Sequence, residues 1–164
     1  MKQVIIIMGV SGSGKTLIGQ LLSKQVNLPF YDADDFHPKA NIIKMKSGHP
    51  LNDHDRQNWL EILNDKLITC SKSTGAILAC SALKEKYRQQ LSSQVDHVHW
   101  VYLDGTYELI RSRLENRKDH FMKADLLKSQ FHDLEIPDYA IKVDIRLFPQ
   151  EMADKIRAEL NILS

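Results

Sequence analysis

A glycine-rich turn set between an apolar run and a helical pattern constrains this chain more than any other feature. Residues 9–16 read Gly9-Val10-Ser11-Gly12-Ser13-Gly14-Lys15-Thr16 and fit G-x-x-x-x-G-K-[ST]. Val4-Ile5-Ile6-Ile7-Met8 precedes the turn as a buried strand, and Leu17, Ile18, Leu21 and Leu22 follow it at helical spacing. That context is the one in which such a loop works. Its glycines let the backbone curl so that N–H groups point inward at phosphate oxygens, and the helix start adds a favourable dipole. All eight residues are predicted to hold the phosphates of ATP, with Lys15 reaching the β- and γ-phosphates and the Thr16 hydroxyl on Mg²⁺. A plain strand-to-helix turn does not call for the Lys-Thr pair in that register.

Beyond the loop, strand and helix patterns alternate to the end of the chain. Strands are predicted at 3–9, near 29–32, at 75–80, at 98–103 and at 140–147. Helices are predicted at 15–26, through 36–73 apart from a turn at Ser47-Gly48-His49-Pro50, after Asp104-Gly105, at 124–134 and at 149–162. Asn52 or Asp53 caps the second half of the long helical stretch, and Asp35 is the candidate cap for the first. Five apolar strands separated by helices predict a three-layer α/β/α fold, a five-stranded parallel sheet covered on both faces. At 164 residues the chain is read as a single domain, 1–164.

Composition narrows the partners. The formal net charge is +1, which makes no electrostatic case for nucleic acid or an anionic membrane. The first apolar run is too short for a signal-peptide core, and no segment approaches a membrane span. Cys70 and Cys80 fit neither a metal spacing nor a disulfide framework, so a cytoplasmic protein with reduced thiols is expected.

Ligands in open parallel sheets sit at the carboxyl ends of the strands. Thr16, the Asp32–Asp35 cluster, Ser81 with Lys84, and Asp104 all follow a strand, so residues distant in sequence converge on one rim. Phosphoryl transfer needs an acceptor hydroxyl oriented and relieved of its proton, and a magnesium shell held in place. Asp34 is assigned to the hydroxyl and Asp32 to magnesium through its water shell. Ser81, Lys84 and Arg88 face the gap and suit a polyhydroxylated, anionic acceptor, with Arg88 able to fork onto a carboxylate. A serine cap followed by a solvated basic face is the alternative. Arg113 and Arg117, four apart in a basic stretch, suit a lid closing on the triphosphate, or a solvated helix face. Trp59 reads as core, and His97 and His99 as structural.

Together these residues resemble the bacterial gluconate kinase family, small P-loop kinases related to shikimate and nucleoside monophosphate kinases. The resemblance runs over almost the whole chain. It rests on Gly9–Thr16, Asp34-Asp35-Phe36-His37-Pro38, Asn41–Met45, Gly48–Asp53, Asp55-Arg56, Trp59-Leu60, Cys80-Ser81-Ala82-Leu83-Lys84, Tyr87-Arg88, His120-Phe121-Met122 and Ser129-Gln130-Phe131. It implies ATP- and Mg²⁺-dependent phosphorylation of D-gluconate to 6-phosphogluconate by a cytoplasmic enzyme, often a homodimer. It also implies that 36–73 form the acceptor-binding part and about 111–134 the lid region. Asp34, His37, Lys84 and Arg88 fall where the family binds the sugar acid, and Arg113 and Arg117 where phosphate contacts are expected. Ala33 departs from the family's usual glycine, and the segment after Pro137 is shorter than in some relatives. Shikimate kinases usually carry a glycine triplet where this chain has Cys80-Ser81-Ala82, and a nucleotide-binding switch would need Asp-x-x-Gly or Asn-Lys-x-Asp, which the sequence lacks.

Overall fold

The computed structural model describes residues 2–116 and 124–161. Within them, strands β1 (Val4–Met8), β2 (Phe30–Asp32), β3 (Ala76–Ala79), β4 (Val98–Asp104) and β5 (Ile141–Asp144) form one parallel sheet in the order β2-β3-β1-β4-β5. The helices are α1 (Lys15–Val26), α2 (Lys39–Lys46), α3 (Asp53–Ser71), α4 (Glu85–Ser92), α5 (Tyr107–Glu115), α6 (Ala124–Asp133) and α7 (Pro149–Leu160), with a 3₁₀ turn at Ala33–Phe36. Among these none is long and apolar enough to cross a membrane.

β1 has no exposed residue because it lies at the centre of the sheet, where both faces are covered. Successive side chains point to opposite faces. Val4, Ile6 and Met8 pack with Leu60, Leu63 and Leu67 of α3 and Leu91 of α4. Ile5 and Ile7 pack with Ile18 and Leu22 of α1, Ile110 and Leu114 of α5 and Ile156 of α7. These two cores make the three layers expected from the alternating pattern.

Two local details differ from the expectations. Asp32, and not Asp35, caps the turn at 33–36, because its Oδ1 accepts from the Asp34 N–H at 3.0 Å. β5 stops at Asp144 and does not run on to Leu147. The Asp144 carboxylate accepts from the backbone N–H and the guanidinium of Arg146, turning the chain out of the sheet. At α3 the cap is Asn52. Its side chain accepts from Asp55 N–H while the Asp55 carboxylate accepts from Asn52 N–H, both at 2.9 Å. Lys44 also donates to that carboxylate at 2.6 Å, joining the end of α2 to the start of α3.

Candidate active site

The loop from Gly9 to Thr16 leaves the central strand and opens α1. Gly12 and Gly14 have φ of +82° and +100°, a region that a side chain disfavours. A Cβ on Gly12 would also lie 2.8 Å from Leu114 of α5. The Lys15 ammonium turns inward and donates to the Val10 carbonyl at 3.0 Å. Burial pulls its pKa down, opposed first by Asp34 and then by Cys80 and Asp32. Ser13 is buried, and its hydroxyl has no hydrogen-bond partner among the described residues. The Ser11 N–H donates to Oε1 of Gln130 at 2.7 Å. The loop is tied to the end of β3 by Gly9 N–H donating to the Ser81 carbonyl at 3.4 Å.

Beside the loop, the Thr16 hydroxyl donates to Asp32 Oδ2 at 3.2 Å. Asp34 is 84 % exposed at the rim, whereas the His37 side chain is only 4 % exposed behind it. The His37 ring stacks on Trp59, centroids 4.2 Å apart, and the indole N–H donates to the Ala33 carbonyl at 2.7 Å. Trp59 is therefore core, as expected, and it also fixes the acidic turn. Asn41 Nδ2 donates to the Asp55 carbonyl at 2.9 Å and meets His37 Nδ1 at 3.4 Å. An amide nitrogen only donates, so Nδ1 is the acceptor and Nε2 carries the proton. That Nε2 faces Asp34 Oδ1 at 3.8 Å. Burial, helped by the Arg56 charge, brings the His37 pKa down to about 4, so the ring is neutral at pH 7.

Tyr87 organises the acceptor side. Its hydroxyl donates to Asp53, and burial with that hydrogen bond pushes its pKa up to about 12. Lys86 and Tyr87 together hold Asp53 near pKa 2. Arg56 lies over the Tyr87 ring at 5.1 Å and donates to its hydroxyl at 3.1 Å, while Lys84 approaches the same ring at 5.8 Å. Arg56 was not among the site residues assigned from the sequence. The signal was there, since Arg56 continues the buried i+4, i+7, i+11 stripe of Leu60, Leu63 and Leu67.

Arg88 is a correction. It does not fork onto an acceptor, for it is 2 % exposed and every guanidinium nitrogen is engaged inside the protein. Nη1 donates to the Ala82 and Leu83 carbonyls at 2.7 and 3.2 Å and Nη2 to the Glu135 carbonyl at 2.8 Å. Nε donates to the Tyr139 hydroxyl at 2.8 Å and to Glu85 at 3.1 Å. It thereby holds Ala82, which has φ +44°, at the end of β3. Ser81 and Lys84 stay at the rim, and neither caps α4 through its side chain.

Arg113 is placed differently from a group closing over the triphosphate. It donates to the Ile145 carbonyl at 2.7 Å, past the end of β5 and on the opposite side of the sheet from β2. α5 ends at Glu115. Arg117 and the His120-Phe121-Met122 motif lie outside the described residues.

The family model for shikimate kinase matches residues 11–140. The chain is 50 % identical over 133 residues to the thermosensitive gluconokinase of Escherichia coli (strain K12), covering 80 % of this chain and 71 % of that protein. A sugar kinase from a Janibacter species, solved without ligand, superposes with a TM-score of 0.92 at 38 % identity, covering 99 % of this chain and 96 % of that one. A gluconokinase from Sinorhizobium meliloti superposes with a TM-score of 0.88 at 34 % identity over 97 % of this chain and 91 % of that one.

Proposed function

The chain belongs to the gluconokinase family within the shikimate kinase-like P-loop kinases, and we infer that it transfers the terminal phosphoryl group of ATP to the 6-hydroxyl of D-gluconate. The observation that carries this reading is the meeting of the phosphate loop with the acidic turn. Asp34 exerts the largest charge interaction on the Lys15 ammonium, and Thr16 reaches Asp32 across the gap.

The residues present fit the groups they would hold. Positive-φ glycines, an inward ammonium and the unpartnered Ser13 hydroxyl suit a phosphate chain. Thr16 and Asp32 offer hard oxygens at one edge. No group of three or more His, Cys, Asp or Glu fit to hold a metal occurs among the described residues. That sparse set suits Mg²⁺, which keeps waters and takes its remaining ligands from phosphate oxygens. Held by Thr16 directly and by Asp32 through its water shell, Mg²⁺ would neutralise phosphate charge.

Asp34, exposed at the rim, orients the 6-hydroxyl and accepts its proton as the oxygen attacks phosphorus. Neutral His37 sits behind it, with Nε2 3.8 Å from Asp34 Oδ1. Lys15 leaves the Val10 carbonyl for the γ-phosphoryl oxygens and balances the charge that develops there. Residues 36–73 form the acceptor-binding part, in which Arg56 takes the role first given to Arg88. Its planar fork, beside Lys84 and His37, suits the carboxylate of a sugar acid. Ser81 and Lys84 meet the hydroxyls.

The test is coupled ADP release with MgATP against gluconate, other hexonates, shikimate and AMP. Wild type is run beside Lys15→Ala and Asp34→Asn. Turnover confined to gluconate is expected, with Asp34→Asn lowering kcat by roughly 10²–10⁴-fold while ATP binding is kept. Near-normal turnover in that variant would remove the proton-acceptor role. Activity on shikimate instead would overturn the acceptor assignment.

A further inference from the structure

The Ser129-Gln130-Phe131 stretch carries part of the family resemblance, yet the chemistry above makes no use of it. Gln130 sits on α6, 119 residues from Ser11 in sequence, and its side-chain amide engages Ser11 twice. The Ser11 N–H donates to Oε1 at 2.7 Å, and Nε2 donates to the Ser11 hydroxyl oxygen at 3.2 Å. This pairing fixes the amide's orientation, because turning it over would set an N–H against an N–H.

α6 is itself firmly placed. Leu127 is buried in the core, and the Phe131 ring meets Tyr107 of α5 edge-on at 5.6 Å. Just beyond α6, Glu135 N–H donates to the Leu83 carbonyl at 2.8 Å, and Glu135 Oε1 accepts from Glu85 N–H at 2.7 Å. On the loop's other flank, Leu114 of α5 packs against Gly12. The outer curve of the loop is thus gripped at Ser11 by α6 and at Gly12 by α5. Inside that curl the Ser13 N–H donates to the Val10 carbonyl at 3.3 Å, a further tie that holds the loop's shape.

We propose that Gln130 is a positioning residue of the nucleotide site, whose amide holds the phosphate loop in its phosphate-receiving curl before nucleotide arrives. Ser11 N–H is the anchor of the loop rather than a phosphate ligand. A loop with three glycines in eight residues has wide conformational freedom, and a fixed tip removes much of it ahead of binding. The glutamine acts through the loop and touches no reacting atom. This rests on reading the loop as the nucleotide site and not on the identity of the acceptor.

Gln130→Met keeps length and bulk and deletes both hydrogen bonds. In the nucleotide-free protein, amide exchange across residues 9–16 should quicken. Calorimetry with ADP should show affinity weaker by about three- to tenfold. KM for ATP should rise in step while KM for gluconate stays within about twofold, since Glu135 is anchored separately from Gln130. Unchanged exchange and ADP affinity in a folded variant would overturn the proposal. So would equal rises in both KM values with a falling Tm, which would mark a general structural role. Should Gln130→Met fail to fold, Gln130→Asn, polar but one methylene short, carries the same expectation. Absence of ADP binding to wild type would sink the nucleotide reading, while exchange in the free protein would still judge the grip.

Discussion

Replacing Arg88 by methionine separates the structural role found for it from the ligand role that the sequence suggested. Methionine fills a similar volume but donates nothing, so the Ala82 and Glu135 carbonyls lose their partner together, while Leu83 keeps the Glu135 N–H. A buried acceptor left unsatisfied costs about 1–3 kcal/mol. Removing the guanidinium also relieves its own desolvation, because its counter-ion Glu85 is partly exposed and repays little of it. The left-handed Ala82 then loses the bond that holds it. With two such acceptors, the net loss should be about 2–5 kcal/mol. At about 2–4 °C per kcal/mol for a chain of this size, Tm should fall by roughly 4–20 °C. Arg88→Lys keeps the charge but cannot reach the Ala82 and Glu135 sides at once, and should fall between wild type and Arg88→Met. Thermal unfolding followed by circular dichroism reads both, beside KM for gluconate at a temperature where each variant is folded. A Tm within about 2 °C of wild type, with gluconate KM raised a hundredfold, would refute the reasoning and restore Arg88 to the acceptor site.

Two further perturbations test the packing around the site. His37 titrates near the ordinary histidine value of 6.5 when unfolded and at about 4 when folded, so between those limits the unfolded chain binds the proton first and stability falls as pH drops. The loss should be on the order of 3 kcal/mol in total. Urea midpoints at pH 7.5 and 4.5 should show it in wild type and much less of it in His37→Gln; matching slopes would discard the buried neutral ring. In Gly12→Ala, the new Cβ has a φ of +82° to accommodate and Leu114 only 2.8 Å away, so the loop must shift. ADP affinity should drop by more than about tenfold, since left-handed strain alone amounts to roughly 1–2 kcal/mol. Wild-type affinity by calorimetry would show that the loop tolerates the shift.

The features legible in the sequence are those written by neighbours in the chain. Lys15 to Val26 was predicted as a helix with the observed ends, because the glycine loop before it and Asn27 in the left-handed conformation after it are local signals. The strands could be placed by their apolar runs, and the loop by its register of Gly, Lys and Thr. Asp34 and His37 could be placed near the sheet's rim because they leave β2 within a few residues of its end. Tertiary structure decided what distant segments do to one another. On α4, the polar residues around Arg88 read as a solvated face. It turns inward because the fold brings the carbonyls of Ala82, Leu83 and Glu135 within reach of one planar fork. The Nε2–H form of His37 depends on Asn41, whose role is set by the Asp55 carbonyl 14 residues away. Gln130 meets Ser11 only because α6 folds back over the loop. Periodicity and turn chemistry act over one or two helical turns and are therefore written in the chain, whereas a buried polar group takes its partner from whatever the packed fold places within about 3 Å.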